Sequence, residues 1–113
     1  MPRSHPLPDP IIELIARRFH VLADPTRIKL LDLLRHGEAS VQDLAAMTGA
    51  SHQNVSKHLG VLRQAGIVGR RSVGNYAYYS IADAGVFALC EDVCGSVQQQ
   101  LQTLSKLVSG RAR

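Results

Sequence analysis

Cys90 and Cys94, four residues apart, are the only two cysteines in the sequence. On a helix that spacing puts both on one face, with Cβ atoms roughly 5–6 Å apart. A pair so placed offers two thiolates to a soft metal ion, with further donors from another chain or from the N-terminal segment, where His5 is a candidate. The same pair can be oxidised by a thiol-reactive signal if one thiol has a depressed pKa. Cysteine is equally at home as a small apolar residue in a helix stripe, and no matching thiol elsewhere decides between these roles. The five histidines are scattered, without a His-x-x-x-His or Cys-x-x-Cys spacing. A transition-metal ion of unknown identity is therefore the one cofactor left open, and no metal ligand is assigned. A thiol enzyme would need a base beside the nucleophile and a pocket. Neither is visible, and the chain reads as a binding protein.

A second set of residues suits a polyanion. Between Asp43 and Asp83 there is no Asp or Glu, while Lys57, Arg63, Arg70 and Arg71 fall in that stretch with His52 and His58. The formal net charge of +4 is thus the charge of residues 44–82, because the other 9 basic and 9 acidic residues cancel. A basic surface without interleaved acids favours nucleic acid, since each neutralised phosphate releases condensed counterions. Charge alone is a weak argument, and a solvated face that happens to lack acids has the same composition.

The elements that must position these residues can be read from periodicity. Asp9-Pro10 fits an N-cap with proline at the first helical position, and apolar residues from Ile11 to Phe19 continue at helical spacing to about Val21. Asp24-Pro25 repeats the signal, opening a second helix with Ile28, Leu31 and Leu34 as its stripe, Leu30 and Leu33 widening it, and Gly37 as its stop. Ser40 with Asp43 forms a variant capping box for a short third helix carrying Val41, Leu44 and Met47 inward and ending at Gly49. Ser51 caps a fourth, with Val55, Leu59 and Leu62 buried and Gly66 at its end. Two helices joined by the tight Thr48-Gly49-Ala50 turn make a helix-turn-helix.

After Gly66 the period becomes alternating. Residues 67–72 and 76–81 flank Val73-Gly74-Asn75, which has the residues of a hairpin turn. The fold class predicted is mainly α with one small β-hairpin, a winged helix-turn-helix in the order α-α-α-α-β-β-α.

With Val55, Leu59 and Leu62 inward, the residues Gln53, Ser56, Lys57 and Gly60 lie on the opposite side of the fourth helix. Glutamine can make a bidentate contact with adenine, serine serves several bases, and lysine reaches guanine or phosphate. Gly60 allows close approach. His52 lies largely on the same side, Ser51, Asn54 and Arg63 stand beside it, and Arg70, Arg71 and Asn75 on the hairpin supply a second contact, to a minor groove or the backbone.

Asp83 can cap a last helix in which Val86, Cys90, Val93, Val97, Leu101, Leu104 and Val108 recur at spacings of three and four. From Ala84 to Val108 it would be about 37 Å long, more than so small a domain can cover with its own core. A second copy in a two-fold dimer is the simplest cover for the stripe of Val86, Cys90, Val93, Val97, Leu101 and Leu104. The expected organisation is a flexible arm over residues 1–8, one winged-helix domain over 9–108 and a flexible tail over 109–113. A protein–protein adaptor of the same topology is the alternative from another class.

The sequence resembles the bacterial ArsR/SmtB family of metal- and stress-responsive repressors from about His20 to Asp83. The resemblance is carried by Leu22-Ala23-Asp24-Pro25-Thr26-Arg27, Ser51-His52-Gln53-Asn54-Val55-Ser56-Lys57-His58-Leu59, Leu62-Arg63-Gln64-Ala65-Gly66 and Tyr78-Tyr79-Ser80-Ile81, in that order. It implies a homodimeric repressor whose fourth helix reads an inverted-repeat operator in double-stranded DNA and whose first and last helices form the dimer interface, with Ile12, Ile15 and Phe19 of the first helix joining the stripe of the last. Metal-sensing members place cysteines at the start of the third helix, where this chain has Glu38-Ala39-Ser40-Val41-Gln42-Asp43-Leu44 and no thiol. Another family site would fall on Asp83, Gly85, Ser96 and Gln99, of which only the aspartate is a usual zinc ligand. The opening residues lack the apolar run of a secretion signal and no stretch is long enough to span a membrane, so a cytoplasmic, nucleoid-associated location is expected.

Overall fold

The computed structural model describes residues 5–111. The elements are α1 (Asp9–Leu22), α2 (Pro25–Leu34), β1 (Ala39–Ser40), α3 (Val41–Thr48), α4 (His52–Gln64), β2 (Val68–Val73), β3 (Tyr76–Ile81) and α5 (Ala84–Arg111). Two compact units divide between Ala82 and Asp83.

In the first unit, local chemistry fixes each helix start. Asp24 Oδ1 accepts from the backbone N–H groups of Thr26 (2.9 Å) and Arg27 (3.1 Å), filling two of the donors that open α2. Ser40 Oγ accepts from Asp43 N at 3.1 Å while Asp43 Oδ2 accepts from Ser40 N at 3.2 Å, a reciprocal capping box on α3. Ser51 Oγ accepts from Asn54 N at 3.0 Å at the head of α4. Helix α1 differs from the expected start. Its N-cap is Pro8, with no side-chain cap bond, and Asp9 is already helical. An acid in the first turn still complements the helix dipole there.

The helix-turn-helix bends where α3 gives way to α4. Gly49 adopts φ 74°, the left-handed conformation, and its N–H donates to Ala45 O at 2.9 Å. The core beneath comprises Leu30, Leu31, Leu34, Leu44, Val55, Leu59, Leu62, Ile67 and Val68, all nearly or fully buried. Truncating one such leucine to alanine costs about 2–5 kcal/mol. Two expected core residues are outside it. Ile28 and Met47 are exposed, while Leu30, expected at the widened edge of its stripe, is fully buried on α2 and Ala45 takes the inward position on α3. Helix periodicity admits neighbouring faces, and packing against α4 selects between them.

The sheet has three strands in the order β1-β3-β2, all antiparallel. The two-residue β1 pairs Ala39 with Tyr79 and Ser40 with Tyr78; it is too short to show the alternation that reveals a strand. The β2–β3 hairpin turns at Gly74-Asn75, where Gly74 has φ 58° and Asn75 keeps a negative φ, the sign pattern of a type II′ turn.

The second unit is α5, 28 residues and about 42 Å long. Asp83 Oδ1 accepts from Val86 N at 3.0 Å at its head. The helix continues through 109–111, where the sequence predicts a tail. Of the expected arm and tail, residues 1–4 and 112–113 lie outside the described residues. No helix among the described residues is long and apolar enough to cross a membrane.

Candidate nucleic-acid interface

Helix α4 is sharply divided. Val55, Leu59 and Leu62 are 0% exposed, whereas Ser51, His52, Gln53, Asn54, Ser56, Lys57, Gly60 and Arg63 are all exposed. Gln53, Ser56, Lys57 and Gly60 follow one another at helical spacing and so form one stripe away from the core. A methyl group built on Gly60 would meet nothing within 4 Å, so the backbone there is open to an approaching surface. Ser51 Oγ is committed as an acceptor to the helix cap, leaving its proton available as a donor.

His52 and the hairpin tip share a groove. A cavity of about 390 Å³ is lined by Ser40, Val41 and Gln42 from the start of α3, by His52 from the start of α4, and by Asn75, Tyr76 and Ala77 from the tip. The starts of both helices and the tip thus open to one side of the unit. Gln42 and Tyr76 carry no signal in the sequence, since nothing in their spacing links α3 to a hairpin more than thirty residues away.

His58 lies on the other side of α4 from this opening. Its Nδ1 is 3.2 Å from Arg27 Nη1 and 3.9 Å from Asp24 Oδ1, and its side chain is 13% exposed. Arg27 also donates from Nε to Val21 O at 2.6 Å. The Asp24-Pro25-Thr26-Arg27 motif and His58 therefore form one cluster. Its hydrogen bonds, chiefly the one from Arg27 N–H, hold the Asp24 carboxyl below its ordinary range.

The two hairpin arginines do not act as one. Adjacent on β2, they project from opposite faces. Arg70 is paired across the ladder with Tyr79, which is buried, and Arg71 with Tyr78. Arg71 donates from Nε (3.3 Å) and Nη2 (2.5 Å) to the two carboxylate oxygens of Glu38, and its guanidinium sits 5.6 Å from the centre of the Tyr78 ring. This bond lowers the Glu38 carboxyl and raises the Arg71 guanidinium from their ordinary ranges. The acid-free stretch of sequence thus acquires an acid on folding, one that lies outside it in the chain.

Comparisons with known proteins place this arrangement. Residues 24–69 match the family described as "Bacterial regulatory protein, arsR family". The chain is 40% identical over 85 residues to a transcriptional repressor SmtB homolog from Synechocystis, over 75% of this chain and 64% of that protein's length. Its fold is similar to the homodimeric winged helix-turn-helix DNA-binding domain Mb0332 from Mycobacterium bovis, with a TM-score of 0.71 and 33% identity over 84% of this chain and 91% of that one. The antimony-specific transcriptional repressor AntR gives a TM-score of 0.79 and 30% identity over 90% of this chain and 93% of that one. The chain belongs to the ArsR family. Its first unit carries the winged helix-turn-helix, with β2 and β3 as the wing, and the family is one of regulators rather than enzymes.

Within this ArsR-family chain, the positions of the two family metal patterns are occupied by structural roles. Ser40 caps α3 and Asp83 caps α5. Among the described residues, no three His, Cys, Asp or Glu side chains converge to hold a metal ion. His5 is exposed ahead of α1. Cys90 is half-buried and Cys94 exposed, and neither forms a disulfide. Burial, followed by the nearby Glu91 carboxylate, pushes the Cys90 thiol up, opposite to the shift that would activate it.

Proposed function

We propose that the chain is a homodimeric transcriptional repressor that reads an inverted-repeat DNA operator with α4. The observation that carries this reading is the division of α4: three side chains at 0% exposure lock it to the core, and the stripe Gln53, Ser56, Lys57 and Gly60 opposite them is polar and solvated. Gln53 and Ser56 supply base-edge contacts, Lys57 a guanine or phosphate contact, and His52 and Asn75 flank the path of the backbone through the groove between α4 and the wing.

Dimerisation is supported on each unit separately. On α1, Ile12, Ile15 and Phe19 are 48, 41 and 53% exposed; on α5, Val93, Val97, Leu101 and Leu104 are 54, 47, 60 and 58% exposed. Exposed apolar faces of that extent on two helices call for a partner surface, and a second copy supplies both at once. Val86, which is buried, and Cys90 extend the same stripe at the start of α5.

The effector class proposed is a soft, thiol-seeking ion, for which Cys90 and Cys94 are the two thiols the chain offers. A repressor named for mercury resistance in Streptomyces lividans is 37% identical to this chain, and AntR is named as antimony-specific. Four thiols per dimer are soft ligands of the kind such ions prefer.

Fluorescence anisotropy on the DNA upstream of the gene tests the reading, with size-exclusion chromatography for the dimer. Operator binding that exceeds binding to random duplex supports it. Changing Gln53 or Ser56 to alanine then shifts base preference by about 1–3 kcal/mol per contact. A dimer that binds no duplex at low ionic strength overturns it in favour of an adaptor.

A further inference from the structure

The Glu38–Arg71 pair has a consequence for the strength of DNA binding, and it rests on the reading above. Directly opposed residues of an antiparallel ladder share a face. Ser40 opposes Tyr78 and Arg71 opposes Tyr78 from the other side, so Ser40, Tyr78 and Arg71 lie on one face of the three-stranded sheet. Glu38, two residues before Ser40, projects to that same face. Its carboxylate reaches across β3 to take Nε and Nη2 of Arg71, with Tyr78 beneath the guanidinium. The two donors given to Glu38 form the fork that arginine presents to a phosphate. A phosphate that takes this side of Arg71 must displace a bidentate acceptor, and one that takes the remaining Nη1 and Nη2 donors comes to rest beside a negative charge.

Arg70 is the contrasting case. It projects from the other face, is exposed, and has no ion pair among the described residues. Lys57 and Arg63 are likewise exposed and unpaired there. Folding thus divides the four cations of the acid-free stretch into three that are available and one that is held.

We propose that Glu38 is a positioning residue that holds Arg71 out of the phosphate contacts and so limits the sequence-independent part of DNA affinity. The wing's phosphate contact is made by Arg70. A repressor that must leave random sites to find its operator gains from fewer phosphate contacts, because these add equally to every duplex.

The test is the dependence of binding on salt, measured by anisotropy for operator and random duplex with the full chain. Each phosphate contact contributes about 0.9 to the slope of log K against log salt concentration. Arg70→Ala flattens the slope by about that amount, and Arg71→Ala leaves it at the wild-type value. Glu38→Gln tightens binding to both duplexes and steepens the slope by about one contact. In the double variant Glu38→Gln, Arg71→Ala, both gains vanish. The proposal is overturned if Arg71→Ala alone flattens the slope, if Glu38→Gln fails to steepen it, or if the gain survives in the double variant. Wild-type chain that binds no duplex overturns the parent reading as well, whereas any of the other three results leaves that reading standing.

Discussion

His58 Nδ1 lies 3.2 Å from Arg27 Nη1, joining the inner side of α4 to the first turn of α2. Arginine only donates, so Nδ1 is the acceptor in this contact. Arg27 is anchored in turn by Val21 O, and Asp24 by the start of α2. The angle at which α4 leaves the core is thus set partly by polar contacts at one flank, beside the leucine packing. His58→Ala leaves a part-buried guanidinium donor unsatisfied, a loss of about 1–3 kcal/mol in folding stability. Operator affinity falls with it, while the salt slope stays at the wild-type value because no phosphate contact is removed. Urea melts and salt titrations of the same variant check both halves. A flattened slope would show that His58 reaches phosphate.

Asp24 gives the cluster a pH dependence whose sign follows from its lowered pKa. The folded state favours the carboxylate form more than the unfolded chain does. That stabilisation is complete above the ordinary carboxyl value of 3.8 and is lost as pH falls through the lower folded-state value. The amide of an Asp24→Asn variant retains an oxygen for the cap hydrogen bonds but carries no charge. The stability gap between wild type and this variant is therefore widest near neutral pH and closes in acid. Denaturant midpoints measured from pH 7 down to about 3 check this; a gap that widens in acid would remove the charge from the account.

Much of this architecture was legible in the sequence because it is written in local signals. Asp24-Pro25, the Ser40–Asp43 box, Ser51 and Gly49 each act within a few residues, and each occupies the predicted place. The wing followed from alternation and its Gly74-Asn75 turn. Long-range contacts were not legible. Glu38 meets Arg71 across 33 residues and His58 meets Arg27 across 31, and no periodicity encodes either pairing. Ile28 and Met47 failed as core residues for a related reason: spacing identifies an apolar stripe, but the neighbouring helix determines which edge of it is covered. Asp9 failed as a cap because Pro8 already supplies extended backbone one residue earlier.

Gly60 separates stability from binding. It lies within α4 at an exposed position, and an added Cβ meets nothing within 4 Å. Alanine there lowers the entropy lost on helix formation and stabilises the fold by about 0.5–1 kcal/mol. The same methyl group stands on the stripe proposed to read DNA, and under that proposal operator affinity falls as stability rises. A variant that melts later and binds operator as tightly as wild type would move the reading face away from Gly60.

The two thiols on α5 differ in burial. The Cys90 thiol is pushed up by burial and by Glu91, so at a given pH it holds less thiolate than an exposed cysteine, and burial also restricts access. Cys94 is exposed at the edge of the apolar stripe. Iodoacetamide at pH 7.5 to 8 (about the ordinary onset of thiol ionisation) labels Cys94 first, with Cys90 lagging until the pH rises further or the chain unfolds. Timed alkylation read by peptide mass spectrometry gives the order directly. Pretreatment with arsenite or Hg²⁺ slows both reactions together if one soft ion bridges the pair, and operator release tracks that joint protection. Protection of Cys94 alone, with operator binding unchanged, would return Cys90 to the helix stripe as a packing residue and separate the thiols from regulation.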